Sequence, residues 1–463
     1  SPCMMLTTHQ AAHLIGAQTS GADLPFLRVV TDTRLVQAGD LFVALKGDRF
    51  DAHDFVAEAL AAGAVAALVR SDFALPNAAL IHVADPLLAL GALAAAWRAR
   101  FTLPLAGITG SNGKTSVKEM LRSILEAASS PEAVLATAGN FNNDIGLPLT
   151  LLRLSAQHRF AAIEMGMNHT GEIRYLADLA RPTAVLVNNA QRAHVGHFAS
   201  VTEVARAKGE IFENLPAGAV ACLYADDPHA PLWRDLAGEA PRIEFGLHAG
   251  TVHAEALTLA AQCSTFTLVT PQGRAAVVLA VAGEHMVRNA LAATSLALAM
   301  GVPLAAIAAG LSAFAGVKGR LHTHTTALGL TVIDDTYNAN PDSVLAAIRV
   351  LAAYPAPRCL VFGDIGELGE GGAAMHAEIG AFAKTQGIEH LLTLGTLSAE
   401  ASHAFGAGAV HFDTLPPLLT QLDTLLAPPL TVLIKGSRFM RMERVAAHLL
   451  TDSSHPTQLR GVP

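Results

Sequence analysis

The sequence is poor in charged residues, and basic residues do not predominate among them. Charged side chains make up 15% of the 463 residues and the formal net charge is −8, whereas hydrophobic residues reach 51%. This balance excludes a general nucleic-acid-binding or acidic-membrane-binding surface, and it excludes extensive disorder. Anionic ligands must therefore be held by local groups. The length is enough for about three domains.

Cysteine pairs and common metal-ligand patterns are also lacking. The four cysteines include no C-x-x-C pair or metal-finger spacing, and the twenty histidines include no H-E-x-x-H. The N-terminus shows no basic segment followed by an apolar core and a small-residue cleavage site. We therefore expect reduced thiols, no export signal and a cytoplasmic protein.

One long stretch has no charge at all. Residues 289–317 are numerous enough to span a bilayer, which makes a membrane helix one interpretation. The stretch is rich in alanine, however, and Gly301 and Pro303 interrupt it near the middle, with Pro303 well placed to start a second helix. It therefore predicts two buried helices and no membrane span.

Residues 103–126 have the layout of a phosphate-binding loop. An apolar run predicts a strand, a glycine-rich turn carries Gly110 and Gly113, and Lys114 and Thr115 open a segment with helical spacing. Glycines let backbone N–H groups close around phosphate oxygens, the lysine can reach the β- and γ-phosphates, and the hydroxyl can ligate Mg²⁺. The general pattern requires glycine at position 108, where this chain has isoleucine, so a glycine turn with an incidental lysine is the alternative. The strand before the turn and the helix after it favour phosphate binding.

Residues 5–100 predict a small α/β unit with a capped helix at its start. Polar residues gather at the predicted strand ends, in residues 31–34 and 46–53. Ligands of α/β sheets commonly bind at such ends, but solvated loops have the same composition. The residues alone do not separate these two interpretations.

Other polar residues of the central part follow predicted strands. The strand 160–163 places Glu164 at its C-terminal end, where a nucleotide-bound Mg²⁺ needs an oxygen ligand, although a helix cap is the alternative. His194 and His197 follow the next strand, and lone histidines are more often structural than metal-ligating. The pattern around Lys208 is also typical of a solvated helix face with paired charges. Further along, an alternation of apolar and polar residues predicts antiparallel strands.

From residue 319 onward the sequence repeats a strand followed by a helix five times. The predicted strands are 330–334, 358–362, 390–394, 409–412 and 430–434. This alternation predicts a parallel, doubly wound sheet. Polar segments end three of these strands, at 334–341, 363–369 and 435–438. We expect them to line one edge of the sheet and to form a ligand site there.

Taken together, several of these motifs resemble those of the Mur ligases of bacterial peptidoglycan synthesis. The motifs are TGSNGKT at 109–115, GNFNN at 139–143, EMGMNH at 164–169, AKGEIF at 207–212, DDTYNANP at 334–341 and KGSR at 435–438. The likeness runs from about residue 29 to residue 447, and the joint occurrence is far more specific than any single motif. The run at 334–341 is typical of the members that add D-alanyl-D-alanine. Folylpolyglutamate synthetase and the members that add other residues carry different sequences there.

The resemblance implies an α/β protein with three domains. A small N-terminal domain at residues 1–100 would bind the UDP-sugar, and a central P-loop ATPase domain with a parallel sheet would occupy residues 101–318. A C-terminal Rossmann-like domain at residues 319–463 would meet the D-alanyl-D-alanine.

Position by position, the resemblance also implies the site residues. Catalytic roles are implied for Lys114, Lys208 and His194. ATP contacts are implied for Thr109, Gly110, Asn112, Gly113, Lys114, Thr115, Asn289, Arg320, Asp335 and Asn338. Two Mg²⁺ ions are implied at Thr115, Glu164, His194 and Lys208, the lysine being carbamylated and therefore anionic. Substrate contacts are implied for Thr33, Arg34, Lys46, Asp51, His53, Asn140, Asn143 and Asn340.

The chain departs from the family pattern at two positions. Where the family often has Ala-His-Leu-Glu, this chain ends the run with Gly196, so a carboxylate is missing beside the metal region. Met286 stands where asparagine is frequent, next to the expected adenine contacts.

The implied reaction is an ATP-dependent ligation. The γ-phosphate would activate the carboxylate of a UDP-N-acetylmuramoyl-tripeptide, and the amine of D-alanyl-D-alanine would attack the acyl phosphate, releasing ADP and phosphate. We expect a monomer that binds these small molecules and no nucleic acid. Two alternatives stay open: a nucleotide-dependent switch that uses the same loop without ligation, and a related ligase that adds the third peptide residue.

Overall fold

The computed structural model describes residues 3–193, 195–451 and 457–459. In these ranges three large β-sheets follow one another along the chain, and helices pack against each of them. Each sheet is the centre of one domain. We number strands and helices in chain order.

The N-terminal domain is built on a five-stranded sheet in the order β2-β7-β6-β5-β4, with β1 and β3 forming a separate antiparallel pair. Its strands are β1 (Leu6–Thr7), β2 (Gln18–Ser20), β3 (Pro25–Phe26), β4 (Arg28–Val30), β5 (Asp40–Val43), β6 (Ala66–Arg70) and β7 (Leu80–Val83). Its helices are α1 (Thr8–Ile15), α2 (Val56–Ala61) and α3 (Pro86–Arg98). Helix α1 begins with a capping box, in which the Thr7 hydroxyl accepts from the backbone N–H of Gln10.

The central domain contains a nine-stranded sheet in the order β16-β15-β14-β13-β12-β11-β8-β10-β9. Its strands are β8 (Leu105–Thr109), β9 (Val134–Ala136), β10 (Phe160–Glu164), β11 (Ala184–Val187), β12 (Val220–Tyr224), β13 (Arg242–Gly246), β14 (Val252–Leu259), β15 (Ser264–Thr270) and β16 (Gly273–Leu279). Its helices are α4 (Lys114–Ala128), α5 (Gly146–Leu151), α6 (Glu172–Ala180), α7 (Val201–Lys208), α8 (Ala230–Ala237), α9 (Glu284–Ala299) and α10 (Leu304–Ala313). Strands β8 to β14 pair with one another in parallel, whereas β15 is antiparallel to both β14 and β16.

The C-terminal domain has a seven-stranded sheet in the order β21-β20-β19-β22-β18-β17-β23. Its strands are β17 (His322–Thr326), β18 (Thr331–Asp335), β19 (Arg358–Gly363), β20 (His390–Leu394), β21 (Ala409–Phe412), β22 (Thr431–Lys435) and β23 (Thr457–Leu459). Its helices are α11 (Pro341–Ala352), α12 (Gly372–Thr385), α13 (Ala399–Phe405), α14 (Leu415–Asp423) and α15 (Glu443–Thr451). Five of the strands form a parallel sheet, to which β17 and β23 add antiparallel neighbours.

Both faces of the C-terminal sheet are buried, as the repeated strand-helix pattern predicts. Leu360 and Phe362 of β19 point into one apolar cluster, and Cys359 and Val361 point into the cluster on the opposite face. Fully burying each side chain of this size stabilises the fold by roughly 2 kcal/mol. The bounds of the five predicted strands of this domain agree to within one residue with those of β18, β19, β20, β21 and β22.

The N-terminal and central domains share one apolar cluster. Helix α3 of the N-terminal domain packs on α5 and α6 of the central domain, and its Leu90 and Leu93 are buried there with Leu176 and Leu179. The N-terminal sheet is thereby fixed beside the strand ends of the central sheet. The uncharged stretch of the sequence forms most of α9 and all of α10, so the prediction of two helices is confirmed. Helix α9 is buried along most of its length, whereas α10 buries only Ile307, Gly310 and Leu311 and exposes its other side. No helix among the described residues is both long and apolar enough to cross a bilayer.

Candidate functional site

The phosphate loop connects β8 to α4, and its glycines shape it. Gly110 has a φ of +151° and Gly113 one of +83°, values that residues with side chains rarely adopt. A Cβ atom at Gly113 would also lie 2.6 Å from both Asn188 Nδ2 and Asn289 Oδ1. The first-turn N–H groups of α4 adjoin this loop, which makes a ready site for an anion.

Two cations approach the start of α4 from different domains. The Lys114 ammonium donates to the Gly110 carbonyl at 3.1 Å, and its burial lowers its pKa although Glu164 opposes that effect. Arg320 of the C-terminal domain donates to the Thr115 hydroxyl at 3.1 Å, and that hydroxyl donates to Glu164 Oε1 at 3.0 Å. Lysine, arginine, hydroxyl and carboxylate are therefore assembled at one point between two domains.

Glu164 lies at the end of β10, as the sequence predicts, and is almost fully buried. Its Oε2 atom accepts no hydrogen bond, and its nearest ion-pair partner is Lys118 Nζ at 3.3 Å. Lys118 is itself buried and donates to the Thr137 carbonyl at 2.7 Å, with Glu119 Oε1 at 2.8 Å. A carboxylate oxygen left without a hydrogen bond in a buried place is a suitable ligand for a hard cation.

Lys118 was not predicted from the sequence. Its only signal is its position, because a lysine four residues after Lys114 lies on the same face of α4, between the buried Val117 and Met120.

Lys208 ends α7 and is also almost fully buried, so the interpretation of a solvated helix face is wrong. Burial and the nearby charge of Lys114 together hold its pKa well below the usual value. No carboxylate of the described residues lies within ion-pair distance of its ammonium. The nearby Glu210 instead accepts from the backbone N–H groups of Gly171 and Arg174 at the start of α6. His194, which was expected beside this lysine, lies outside the described residues.

A cavity of about 310 Å³ lies between the central and C-terminal domains. Among its lining residues are Asn112, Gly113, Asn188, Tyr224, Phe245, His285, Arg288, Asn289, Arg320, Asp335, Arg349 and Lys435. Asp335 forms an ion pair with Lys435 at 2.9 Å and accepts from the backbone N–H of Leu321. Burial and the charge of Arg288 lower the pKa of His285 to about 4, so the imidazole is neutral near pH 7.

A second cavity, of about 600 Å³, lies on the other side of the phosphate loop. All three domains contribute to its walls: Leu88 from the N-terminal domain, Lys114, Thr115, Asn140, Asn143, Glu164 and Tyr175 from the central domain, and Tyr337, Asn338 and Arg438 from the C-terminal domain. Arg320 lines both cavities. The two spaces therefore meet at the phosphate loop, one on each side of it.

Two of the predicted ligand contacts point elsewhere. Asn340 does not line the second cavity, because its side chain exchanges hydrogen bonds with that of Asn112 and caps α11 by accepting from the Ser343 N–H. Thr109 is buried at the end of β8, lines neither cavity and has a hydroxyl without a hydrogen-bond partner. The pairing of Asn340 with Asn112 instead ties the phosphate loop to the C-terminal domain.

Two of the predicted substrate residues of the N-terminal domain, Asp51 and His53, form a closed polar network with Arg70. The buried His53 donates from Nδ1 to Asp51 Oδ1 at 2.6 Å and accepts at Nε2 from the backbone N–H of Arg70 at 2.9 Å. Burial opposes ionisation of Asp51, but hydrogen bonds from His53 and Arg70 hold its pKa below the ordinary range. This network closes the loop that begins at Lys46, which pairs with Asp51 in an isolated bridge.

The other two predicted residues of this domain, Thr33 and Arg34, lie on a short helical turn capped by Asp32. The exposed Arg34 is paired with Asp32 at 2.8 Å. Neither residue lines the two cavities described above.

The two departures from the family pattern have structural counterparts. Gly196 donates its N–H to the carbonyl of Glu367 at 2.9 Å, and a Cβ atom at position 196 would lie only 2.8 Å from that carbonyl oxygen. Met286 lines the first cavity, where its sulfur accepts from Asn289 Nδ2 at 3.4 Å. At position 196 the missing side chain makes room for the C-terminal domain.

A further contact between the central and C-terminal domains was not predicted. Arg192, in the loop after β11, binds Asp342 at 2.9 Å and Glu378 at 2.6 Å, both in the C-terminal domain. Burial opposes the charge on Arg192, but the two carboxylates raise its pKa. The pairing depends on how two domains dock, so no local sequence signal could have revealed it.

The chain matches three family models in succession. They are "Mur ligase family, catalytic domain" at residues 27–98, "Mur ligase middle domain" at residues 108–297, and "Mur ligase, glutamate ligase domain" at residues 319–438. Together they cover most of the chain, and the matched ranges follow the three sheets.

Individual relatives match over nearly the full length. The chain is 43% identical over 448 residues to the UDP-N-acetylmuramoyl-tripeptide--D-alanyl-D-alanine ligase of Escherichia coli K12, covering 96% of this chain and 98% of that protein. A crystal structure of MurF from Acinetobacter baumannii superposes with a TM-score of 0.92 at 37% identity, covering 96% of this chain and 99% of that one. The MurF ligase of Thermotoga maritima in complex with ADP has a TM-score of 0.81 at 26% identity, covering 91% and 96% of the two chains.

Proposed function

The chain belongs to the Mur ligase family, and on that premise we propose that it joins D-alanyl-D-alanine to UDP-N-acetylmuramoyl-tripeptide at the expense of ATP. The products are the UDP-N-acetylmuramoyl-pentapeptide, ADP and phosphate. The enzyme is an ATP-dependent peptide ligase that completes the peptide of the peptidoglycan precursor. We further propose that it works in the cytoplasm as a monomer.

The observation that carries this proposal is the meeting of two cavities at the phosphate loop. The cavity between the central and C-terminal domains has the residues to hold a nucleoside, and the second cavity has walls from all three domains. A ligase must bring a nucleotide, an acid and an amine to one place, whereas a nucleotide switch needs only the first. The second cavity, opening on Lys114 and Thr115, therefore favours ligation over a switch.

We propose that ATP places its adenosine in the 310 Å³ cavity and its γ-phosphate beside the second one. Asn289 would contact the base and Asp335 the ribose, and Asn112 and the loop glycines would hold the phosphates. Lys114 contacts the Gly110 carbonyl and Arg320 contacts the Thr115 hydroxyl, so in this pose both cations would stabilise the negative charge that develops during transfer of the γ-phosphoryl group. Such cations at the γ-phosphate favour an acyl phosphate and ADP rather than an acyl adenylate and AMP.

The residues around Glu164 also fit Mg²⁺. Its Oε2 atom accepts no hydrogen bond, and the Thr115 hydroxyl is 3.0 Å from Oε1. Among the described residues there is no cluster of three or more His, Cys, Asp or Glu side chains that could hold a metal ion. The site we propose therefore consists of Glu164, Thr115, His194 and a modified Lys208, and Mg²⁺ bound there would neutralise phosphate charge.

We propose that Lys208 is carbamylated. The neutral amine would attack CO₂ and form a carbamate, with release of one proton, which replaces an ammonium by an anion. Burial and the charge of Lys114 favour the neutral amine that this reaction needs, and no described carboxylate offsets the ammonium. An anion at this position would relieve the repulsion between two lysines and would attract a cation.

The substrates would enter from opposite ends of the molecule. The UDP moiety would bind at the N-terminal loop, where Thr33, Arg34 and Lys46 offer polar groups and the Asp51–His53 network fixes the backbone. Asn140 and Asn143 would contact the peptide in the second cavity, together with Asn338 on its C-terminal wall. The α-amine of the dipeptide has an ordinary pKa of about 8, so it must lose a proton before it attacks.

The test is a coupled assay of phosphate release and product mass. The protein is incubated with ATP, Mg²⁺ and UDP-N-acetylmuramoyl-tripeptide, with and without D-alanyl-D-alanine, using tripeptides that carry either lysine or diaminopimelate. We expect phosphate and a product heavier by one dehydrated dipeptide to appear together, and only when the dipeptide is present. Equal ATP turnover without either substrate, and no such product, would exclude ligation and favour a nucleotide switch.

A further inference from the structure

Three cationic side chains line the second cavity, and two of them are already engaged at the phosphate loop. Lys114 donates to the Gly110 carbonyl, and Arg320 donates to the Thr115 hydroxyl. The third, Arg438, forms no hydrogen bond or ion pair through its side chain with any residue that the structure describes. A free guanidinium on a cavity wall is therefore left for a ligand.

The backbone that carries Arg438 is held firmly at the edge of the C-terminal sheet. The preceding residue, Ser437, donates its N–H to the Asp364 carbonyl at 3.0 Å, and its hydroxyl accepts from the Gly366 N–H at 2.8 Å. These bonds join the strand ends of β19 and β22. Arg438 therefore projects from a fixed point although its own side chain is exposed.

An aromatic ring orients the guanidinium of Arg438 without using its N–H groups. The Cζ atom of Arg438 lies 4.9 Å from the centroid of the Tyr337 ring, and that of Arg320 lies 4.0 Å from the same centroid. A cation–π contact of this kind limits the directions that the side chain can take. Its five N–H donors stay available for a planar anion.

The incoming dipeptide supplies such an anion. Its amine must reach the activated carboxyl group beside Lys114, while its terminal carboxylate lies up to about 7 Å further along an extended chain. In the proposed ligation Lys114 and Arg320 serve the phosphates, and the carboxylate of Glu164, which accepts from the Thr115 hydroxyl, adds negative charge nearby. The dipeptide carboxylate therefore needs a separate cation on the C-terminal wall of the same cavity.

We propose that Arg438 binds the terminal carboxylate of D-alanyl-D-alanine and thereby selects an acceptor with a free carboxyl end. The inference rests on the proposed ligation and specifies a contact within it. A guanidinium can hold a carboxylate through two parallel hydrogen bonds, which orients the dipeptide as well as binding it. Dipeptides with a blocked carboxyl group would lose this contact.

The experiment compares the wild-type protein with Arg438→Gln in steady-state ligation of D-alanyl-D-alanine and of its C-terminal amide. We expect the substitution to raise the KM for the dipeptide about 30-fold, the usual effect of losing a charged hydrogen-bond pair. We expect kcat and the KM values for ATP and for the UDP-tripeptide to be nearly unchanged. The wild type should show a similar penalty for the amide, and the variant should show almost none.

Arg441→Gln is the matched control, because Arg441 lies three residues away, is exposed and does not line the cavity. It should behave as the wild type. If Arg438→Gln still discriminates the acid from the amide as strongly as the wild type, the inference is wrong. It is equally wrong if the KM increase falls on ATP or on the UDP-tripeptide. Failure of the wild type to form any pentapeptide would instead overturn the proposed function itself.

Discussion

The loop around His53 and the phosphate site contain similar residue types, but their polar groups are used in opposite ways. In the N-terminal loop, Asp51, His53 and Arg70 satisfy one another, and both ring nitrogens of the histidine are occupied. At the phosphate site, Glu164 Oε2 accepts no hydrogen bond and Lys208 has no ion-pair partner among the described residues. A closed network fixes a backbone, whereas buried polar atoms whose hydrogen-bonding capacity is not filled prepare a place for a ligand.

This contrast gives each polar residue a different expected effect on substitution. Residues of the phosphate site should change the rate of the reaction with little effect on folding. Residues of the N-terminal network should change stability first, and substrate affinity only through the shape of the loop.

The largest effect is expected for Lys114→Met. Loss of this ammonium removes charge stabilisation of the transferring phosphoryl group, so kcat should fall by about a thousandfold. Thermal unfolding should change little, because among the described residues the ammonium donates a hydrogen bond only to the Gly110 carbonyl. Lys384→Met on the surface of α12 is the control and should keep full activity. A kcat within tenfold of the wild-type value would contradict the role of Lys114.

The next effect tests the modified lysine. Lys208→Ala should lower kcat by about a hundredfold, and acetate or propionate should restore part of it by replacing the carbamate anion. In the intact protein, ¹³C-labelled bicarbonate should give a carbamate signal that the variant lacks.

Lys118→Ala is the matched control for Lys208, because both lysines are buried but Lys118 is paired with Glu119 and Glu164. Its substitution leaves a buried carboxylate unpaired, and carboxylates should not restore its activity. Full activity of Lys208→Ala, or a wild-type spectrum without the carbamate signal, would exclude the modification.

A smaller effect, on stability rather than on rate, is expected for His53→Leu in the N-terminal network. His53→Leu leaves Asp51 and the Arg70 N–H without their buried partner, which should cost about 2 kcal/mol and lower the unfolding midpoint of the N-terminal domain by several degrees. With substrates at saturation, kcat should stay near the wild-type value. An unchanged midpoint together with a hundredfold higher KM for the UDP-tripeptide would instead make His53 a direct ligand and would break the comparison.

The smallest expected effect is the pH dependence of the stability that Asp51 contributes. The pKa of Asp51 is lowered in the folded protein from an ordinary value of 3.8, so its ionised form contributes stability above that value. The contribution is lost as the pH falls through the lowered pKa. The stability difference between the wild type and Asp51→Asn should therefore be constant from pH 7 to about pH 5 and should narrow below pH 4. A gap that widens on acidification would contradict this assignment.

The sequence predicts most of the fold, because its signals are local. The turn glycines and the helix that starts at Lys114 appear where the phosphate-loop pattern puts them. The five parallel strands of the C-terminal domain follow from apolar runs bounded by polar segments. The antiparallel strands β17 and β23 at the edge of that sheet were not predicted, because their place depends on pairing across the sheet rather than on their own composition.

Prediction of the site is limited in a similar way. Residue type and strand ends single out Glu164, but nothing local reveals that Lys118 pairs with it or that Asn112 bonds Asn340. Both contacts join segments that are far apart in sequence, and the contact between Asn112 and Asn340 also crosses a domain boundary. The resemblance to a family supplied the candidate residues. Only the structure shows that the hydrogen bonds of His53 are satisfied within the protein, whereas the buried Lys208 has no ion-pair partner among the described residues.

The contact between Gly196 and the carbonyl of Glu367 also constrains how the sequence can change. A side chain at position 196 would occupy the space of the 363–369 segment, so any residue larger than glycine requires that segment to move away. The two stretches therefore cannot be exchanged independently between relatives. In a homologue with glutamate at position 196, that segment must lie further away. A chimera that joins such a homologue's C-terminal domain to a central domain with Gly196 should therefore dock poorly. Residue 196 and the 363–369 segment should be transferred together.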